Sequence, residues 1–228
     1  MKESFERGVK MYHSHRPEQA LAEFRQLEQD SGSTPELEYY RGLALTQLGR
    51  HEEALLALEK VVASHFSFLH VVQARMVLGY IYSVTGRHRL AEFEFNKVCE
   101  LGLQSSQSLA ALGFVLYAQK KVQEAVETLK KALDLDPKNS NALNSLGFIC
   151  AVEKLDVAKA VSLCRQAVDL SPRNPAYLDS LGWALFLQGN RLDAKACFRK
   201  ALDLAPGNRE IASHMRALME KMKGASSA

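Results

Sequence analysis

Residues 175–206 read PAYLDSLGWALFLQGNRLDAKACFRKALDLAP. Leu178, Leu181, Gly182 and Leu185 stand at i, i+3, i+4 and i+7, one stripe of an amphipathic helix. Gly189-Asn190 interrupts the pattern, and a second stripe follows at Ala194, Phe198 and Ala201. Small residues at Gly182, Ala194 and Ala201 let two antiparallel helices approach closely. Pro206 cannot continue the second helix and marks its end. The stretch therefore predicts a helix-turn-helix unit.

The same wording recurs along the whole chain. Gly8, Gly42, Gly79, Gly113, Gly147 and Gly182 are spaced by 34, 37, 34, 34 and 35 residues. Ala20, Ala54, Ala91, Ala125, Ala160 and Ala194 are spaced by 34, 37, 34, 35 and 34. Two series with one period, displaced together by a three-residue insertion before Gly79, mean a tandem repeat, and a period in this range decides the architecture. Pro137, Pro172 and Pro206 close the later units after Asp-Leu-Asp, Asp-Leu-Ser and Asp-Leu-Ala. Thr34-Pro35 and Asn174-Pro175 have the form of a helix N-cap followed by a first-turn proline. After Pro206, Ile211, Met215, Leu218, Met219 and Met222 recur at helical spacing, as expected of a helix that covers the open end of a stack.

The series Leu178, Leu181-Gly182, Ala194, Phe198, Ala201, Pro206 resembles the tetratricopeptide repeat signature, and the resemblance extends over residues 1 to about 208. It is strongest in the last three units and weakest in the first, which only Gly8, Ala20 and Phe24 identify. The tyrosine usual three residues after the glycine survives only as Tyr82; Met11, Leu45, Leu116, Cys150 and Leu185 hold that slot elsewhere. The resemblance implies an all-α, right-handed α-solenoid of about six helix-turn-helix units with a C-terminal capping helix. The units run over about 1–34, 35–71, 72–105, 106–139, 140–174 and 175–208, and the cap over 209–223, as one solenoid across 1–223. A disordered tail is expected at 224–228. The insertion at His65–Val72 predicts a longer loop or an extended helix, with a bend in the stack. The Leu-Asp-Ser-Leu-Gly-Trp wording of residues 178–183 has a bacterial style.

Composition narrows function. With hydrophobic residues at 47% and charged ones at 24%, there is enough apolar surface to fill a core. The net charge of +3 is mild and the cations alternate with Asp and Glu, which is a solvated surface rather than a nucleic-acid footprint. Met1-Lys-Glu-Ser-Phe-Glu-Arg has no apolar core of a signal peptide, and no apolar run approaches the roughly 20 residues that span a bilayer. Cys99, Cys150, Cys164 and Cys197 lack the close pairing of a zinc or redox motif. These features predict a cytoplasmic protein, or a periplasmic one if a leader has been removed. Cys150 and Cys164 are expected to face each other in one unit as inert packing groups.

No catalytic chemistry is legible. His13, His15, His51, His65, His70, His88 and His214 show no ligand spacing, and His51-Glu52-Glu53-Ala54-Leu55 lacks the second histidine of a zinc-protease helix. They are expected at the surface, most of them in turns. There is no phosphate loop and no Ser-His-Asp set, so no enzyme, metal or cofactor is expected.

If the Leu-Leu-Gly stripe faces the core, the residue after each glycine projects about 100° further round the helix. Those residues are Val9, Leu43, Tyr80, Phe114, Phe148 and Trp183, all apolar and the last four aromatic. Met76 and Ser83, Ala110 and Tyr117, Asn144 and Ala151, Asp179 and Phe186 flank them on the same face. A groove lined by Tyr80, Phe114, Tyr117, Asn144, Phe148, Asp179, Trp183 and Phe186 is expected to bind a peptide or an amphipathic helix, since aromatic rings anchor protein interfaces. Internal filling of the groove or self-association through it is the competing expectation. A scaffold or adaptor is the leading functional reading, with apolar contacts and weak salt dependence. An assembly or secretion chaperone shielding one client's apolar segment is the alternative. RNA binding ranks below both, because aromatic stacking is available but cations for phosphates are few. The paired basic residues with which some tetratricopeptide domains grip a chaperone's terminal carboxylate have no counterpart here.

Overall fold

The computed structural model describes residues 2–64 and 66–226, with side chains up to residue 223. Among the described residues there are thirteen α-helices and no strand. They fall into two compact units, Met1–Gln104 and Ser105–Ala228.

The first unit contains α1 (Lys2–His13), α2 (Pro17–Ser31), α3 (Pro35–Gln47), α4 (His51–Ser64), α5 (Phe68–Val84) and α6 (His88–Glu100). Each odd helix pairs with the next even one, and the odd helices also touch each other in series, α1 on α3 and α3 on α5. The insertion is taken up by α5, which has 17 residues and starts at Phe68, four before the expected unit boundary. The extra residues extend a helix instead of lengthening the loop, because Phe68, Leu69 and Val71 carry no turn signal. His65 lies outside the described residues.

The second unit contains α7 (Ser106–Ala118), α8 (Val122–Leu135), α9 (Ser140–Val152), α10 (Val157–Leu170), α11 (Pro175–Gln188), α12 (Arg191–Leu204) and α13 (Arg209–Ser226). Its odd helices again form a continuous layer, α7 on α9, α9 on α11 and α11 on α13, with the even helices behind. Helix α13 continues through Ser226, where a tail from Gly224 was expected; residues 227 and 228 lie outside the described residues.

The repeat glycines are points of closest approach. A Cβ on Gly79 would stand 2.6 Å from the Phe95 ring, and one on Gly182 would stand 2.7 Å from Phe198. In the fifth repeat the opposing residue is Cys164 instead of a large apolar one. A Cβ on Gly147 would lie 2.6 Å from its Sγ and 3.1 Å from both the Ala160 carbonyl oxygen and the Cys164 amide nitrogen. The smaller side chain has let the two backbones move together. Phe24, Leu58, Phe95, Leu129 and Phe198 fill the equivalent position and are fully buried or nearly so. Burial of each such side chain stabilises by about 1.5–3 kcal/mol.

Every turn from an odd to an even helix is built the same way. The residue seven after each repeat glycine takes a positive φ: His15 at 57°, Gly49 at 70°, Gly86 at 75°, Lys120 at 66°, Lys154 at 53° and Gly189 at 96°. The following N–H donates to the carbonyl five residues back, from Arg16 to Met11 at one end of the series to Asn190 to Leu185 at the other. This is the Schellman closure, which glycine adopts without strain. Three of the six turns use His or Lys at that position, so the turn is imposed by the packing of the two helices and not by the residue's own preference.

Several helix starts are capped by a short polar side chain, although Ser67 before α5 makes no such bond. Thr34 Oγ1 accepts the Leu37 N–H at 3.2 Å and Asn174 Oδ1 accepts that of Ala176 at 3.0 Å. Ser105 and Ser108 form a reciprocal capping box at the start of α7. Asn139 caps α9 through the Ala142 N–H, 3.0 Å, and donates to Ser106 Oγ, 2.8 Å; that hydroxyl in turn donates to the Ala132 carbonyl, 2.7 Å. This buried chain ties the starts of α7 and α9 to the end of α8.

Candidate functional site

In the second unit, Phe114 and Tyr117 from α7, Asn144 and Phe148 from α9, and Asp179 from α11 line one cavity of about 380 Å³. They stand at the glycine+1, glycine+4 and glycine−3 positions of successive odd helices, which the α7–α9–α11 layer brings to one side. The first turn of α13 completes the wall with Asn208, Glu210 and Ile211. The exposed area of the lining is predominantly apolar.

The polar groups are placed unevenly. Phe114 is half exposed, and the Tyr117 and Phe148 rings meet edge to face, 6.3 Å apart at 84°. The Tyr117 hydroxyl donates to Glu153 at 3.1 Å, and burial pushes the phenol up to about 12, so it stays a donor at neutral pH. The Asn144 Oδ1 atom is buried and has no hydrogen-bond partner in the protein. Asp179 is 7% exposed, and its two carboxylate oxygens accept the Nδ1–H of His214 on α13 at 3.0 and 2.9 Å.

The remaining predicted groove residues lie elsewhere. Trp183 stacks on the His214 ring, centroids 4.4 Å apart, and Phe186 packs against Trp183 at 5.4 Å. The capping helix thus covers this end of the expected ladder, and neither ring lines the cavity. Tyr80 is half exposed on α5 of the first unit. Ala110 and Ala151, expected to flank the groove, are buried instead.

His214 departs from the surface role expected of the histidines, since its side chain is 17% exposed and locks α13 onto α11. What sequence reading missed is the contribution of α13. Its Ile-Met-Leu-Met-Met stripe marked it as a cover for the core, while Glu210 in its first turn carried no periodic signal. The usable clue was Asn208 itself, third in the series of Asn139, Asn174 and Asn208 that start odd helices.

Among the described residues, no group of three or more His, Cys, Asp or Glu side chains could hold a metal ion. Cys150 and Cys164 are buried, and burial raises the Cys164 thiol to about 12, which leaves almost no thiolate at neutral pH. Among the described residues no helix is long and apolar enough to cross a membrane.

Three models of tetratricopeptide or TPR repeats match the chain, at residues 12–65, 113–151 and 175–208, together more than half of its length. No curated protein matches it in sequence. Among solved structures, the chain superposes on the APC/C hetero-tetramer Cut9-Hcn1 with a TM-score of 0.80 at 16% identity, over 94% of this chain and 42% of that one. It therefore spans about two fifths of that relative's length. A tetratricopeptide repeat protein from Parabacteroides merdae gives 0.74 at 15% identity, covering 95% of this chain and 83% of that one. YrrB, described as a TPR protein with an unusual peptide-binding site, gives 0.55 at 20%, over 85% and 97%. At these identities the likenesses speak to the fold. With the glycine and alanine series, the six common turns and the three repeat matches in agreement, the chain belongs to the tetratricopeptide repeat family.

Proposed function

We propose that this protein is a non-enzymatic interaction scaffold, and that the cavity bounded by α7, α9, α11 and the start of α13 is where a partner polypeptide docks. The observation that carries this reading is the cavity itself: the rings of Phe114, Tyr117 and Phe148, the first of them half exposed, around a predominantly apolar space. The volume is at the small end of the roughly 300–1,000 Å³ of ligand cavities, suited to one or two side chains of a peptide or helix. The peptide-binding site in the description of YrrB adds support by analogy of fold alone. Nucleic acid fits the cavity poorly, because no Lys or Arg lines it to neutralise phosphate.

The test is affinity purification from the native host with the wild-type chain and a Phe114→Ala/Phe148→Ala variant, read by mass spectrometry. A stoichiometric partner should be lost from the variant while its helical circular dichroism and melting remain cooperative. An unchanged partner set on a folded variant removes the cavity as the docking site.

A further inference from the structure

The cavity has a sign as well as an apolar lining, and the sign selects what enters it; this step rests on reading the cavity as a binding site. Two of its side chains are carboxylates, Asp179 and Glu210, and no Lys or Arg lines it. His214 supplies one donor to Asp179, while the two carboxylate oxygens together offer about four lone-pair sites. Even with an imidazolium balancing Asp179, Glu210 leaves the lining negative. The opposing contribution is the N-terminus of α13, worth about half a positive charge. Two of its donors are already engaged: Asn208 Oδ1 accepts the N–H groups of Glu210 at 3.0 Å and Ile211 at 3.1 Å. The carboxylates therefore outweigh the helix end. The Phe114 and Phe148 ring faces attract cations rather than anions.

We propose that the cavity takes a segment of a partner polypeptide in which a bulky apolar side chain stands beside a lysine or arginine. The apolar side chain packs among Phe148, Ile149 and Ile211. The cation reaches the Asp179 and Glu210 carboxylates. Acidic segments and free C-terminal carboxylates are repelled.

A displayed random-peptide library panned on the full chain tests this, with each enriched peptide then titrated against wild type, Phe148→Ala, Glu210→Lys and Glu210→Gln. Enriched peptides should carry Lys or Arg next to a large apolar residue. Their binding should be lost in Phe148→Ala and weakened about tenfold or more by Glu210→Lys, with Glu210→Gln in between. Phe148-dependent peptides without a basic bias, or peptides indifferent to both Glu210 variants, overturn this inference and leave the docking site standing. Enriched peptides that all bind equally to a folded Phe148→Ala overturn the site as well.

Discussion

In the first unit the helices are tied across their polar faces by charge. Arg7 meets Glu23 at 2.6 Å, Lys60 meets Glu38 at 2.7 Å, and the largely buried Arg75 meets Glu94 at 2.7 Å. In the second unit the corresponding ties are the Asn139–Ser106–Ala132 chain, the Tyr117–Glu153 bond and the His214–Asp179 pair. The same backbone repeat thus tolerates two polar solutions, because its apolar core and its turns supply the fold. The difference lies in the surface that is left. In the second unit Asp179 and Glu210 border the largely apolar cavity between the odd helices and the start of α13. A repeat fold is thereby set apart from a site.

The strongest way to break this comparison is to cut the core on both sides of it. Phe95→Ala and Phe198→Ala should each cost about 3–5 kcal/mol in denaturant unfolding. Clearly unequal losses would mean that the two units do not share one apolar design. Gly147→Ala should follow, at about 1–3 kcal/mol from overpacking. Its Cβ meets backbone as well as the Cys164 thiol, so adding Cys164→Ala should recover only part of the loss in the same measurement.

Asn139→Ala removes a cap and a buried hydrogen bond and should cost about 1–2 kcal/mol by chemical denaturation. A negligible loss would show that the neutral tie of the second unit is ornamental. Lys120→Gly and Lys154→Gly relieve left-handed backbone and should each stabilise by about 0.5–1 kcal/mol in thermal melts, after the flexibility glycine adds to the unfolded chain. The smallest effect concerns the charged tie. Burial raises the Glu94 carboxyl above its ordinary value of 4.5 more than Arg75 lowers it. The folded chain then holds that proton more tightly than the unfolded one. Its contribution is fully present below the unfolded value and is lost as pH rises through the folded one. Wild-type stability relative to Glu94→Gln should therefore fall as pH climbs above about 4.5; a rise would mean that the pairing with Arg75 dominates.

How legible the molecule was depends on whether a feature repeats. Gly182 facing Phe198 follows from a pattern that any unit can supply, as do the caps at Thr34 and Asn174. The turns at His15, Lys120 and Lys154 were hidden, because none of these side chains announces a left-handed residue. Their positions became visible only when six turns were aligned in space. Among the eight residues read as a groove, Phe114, Tyr117, Asn144, Phe148 and Asp179 line the cavity because they share one periodic face. Trp183 and Phe186 occupy the same positions but lie outside the cavity, where His214 of α13 stacks on Trp183 and Phe186 packs against that ring.

The amino-acid sequence by itself determined the period, the helix pairs, the family and the apolar stripe, because these depend on spacing within about 35 residues. Only the tertiary structure decided which aromatic rings remain open, where Glu210 and Ile211 join the wall, and that Asn144 Oδ1 is left without a partner. Those outcomes depend on how α13, a helix with no even partner, packs across α11. Side-chain burial there is set by which surfaces meet in space, and the spacing of residues along the chain carries no record of it.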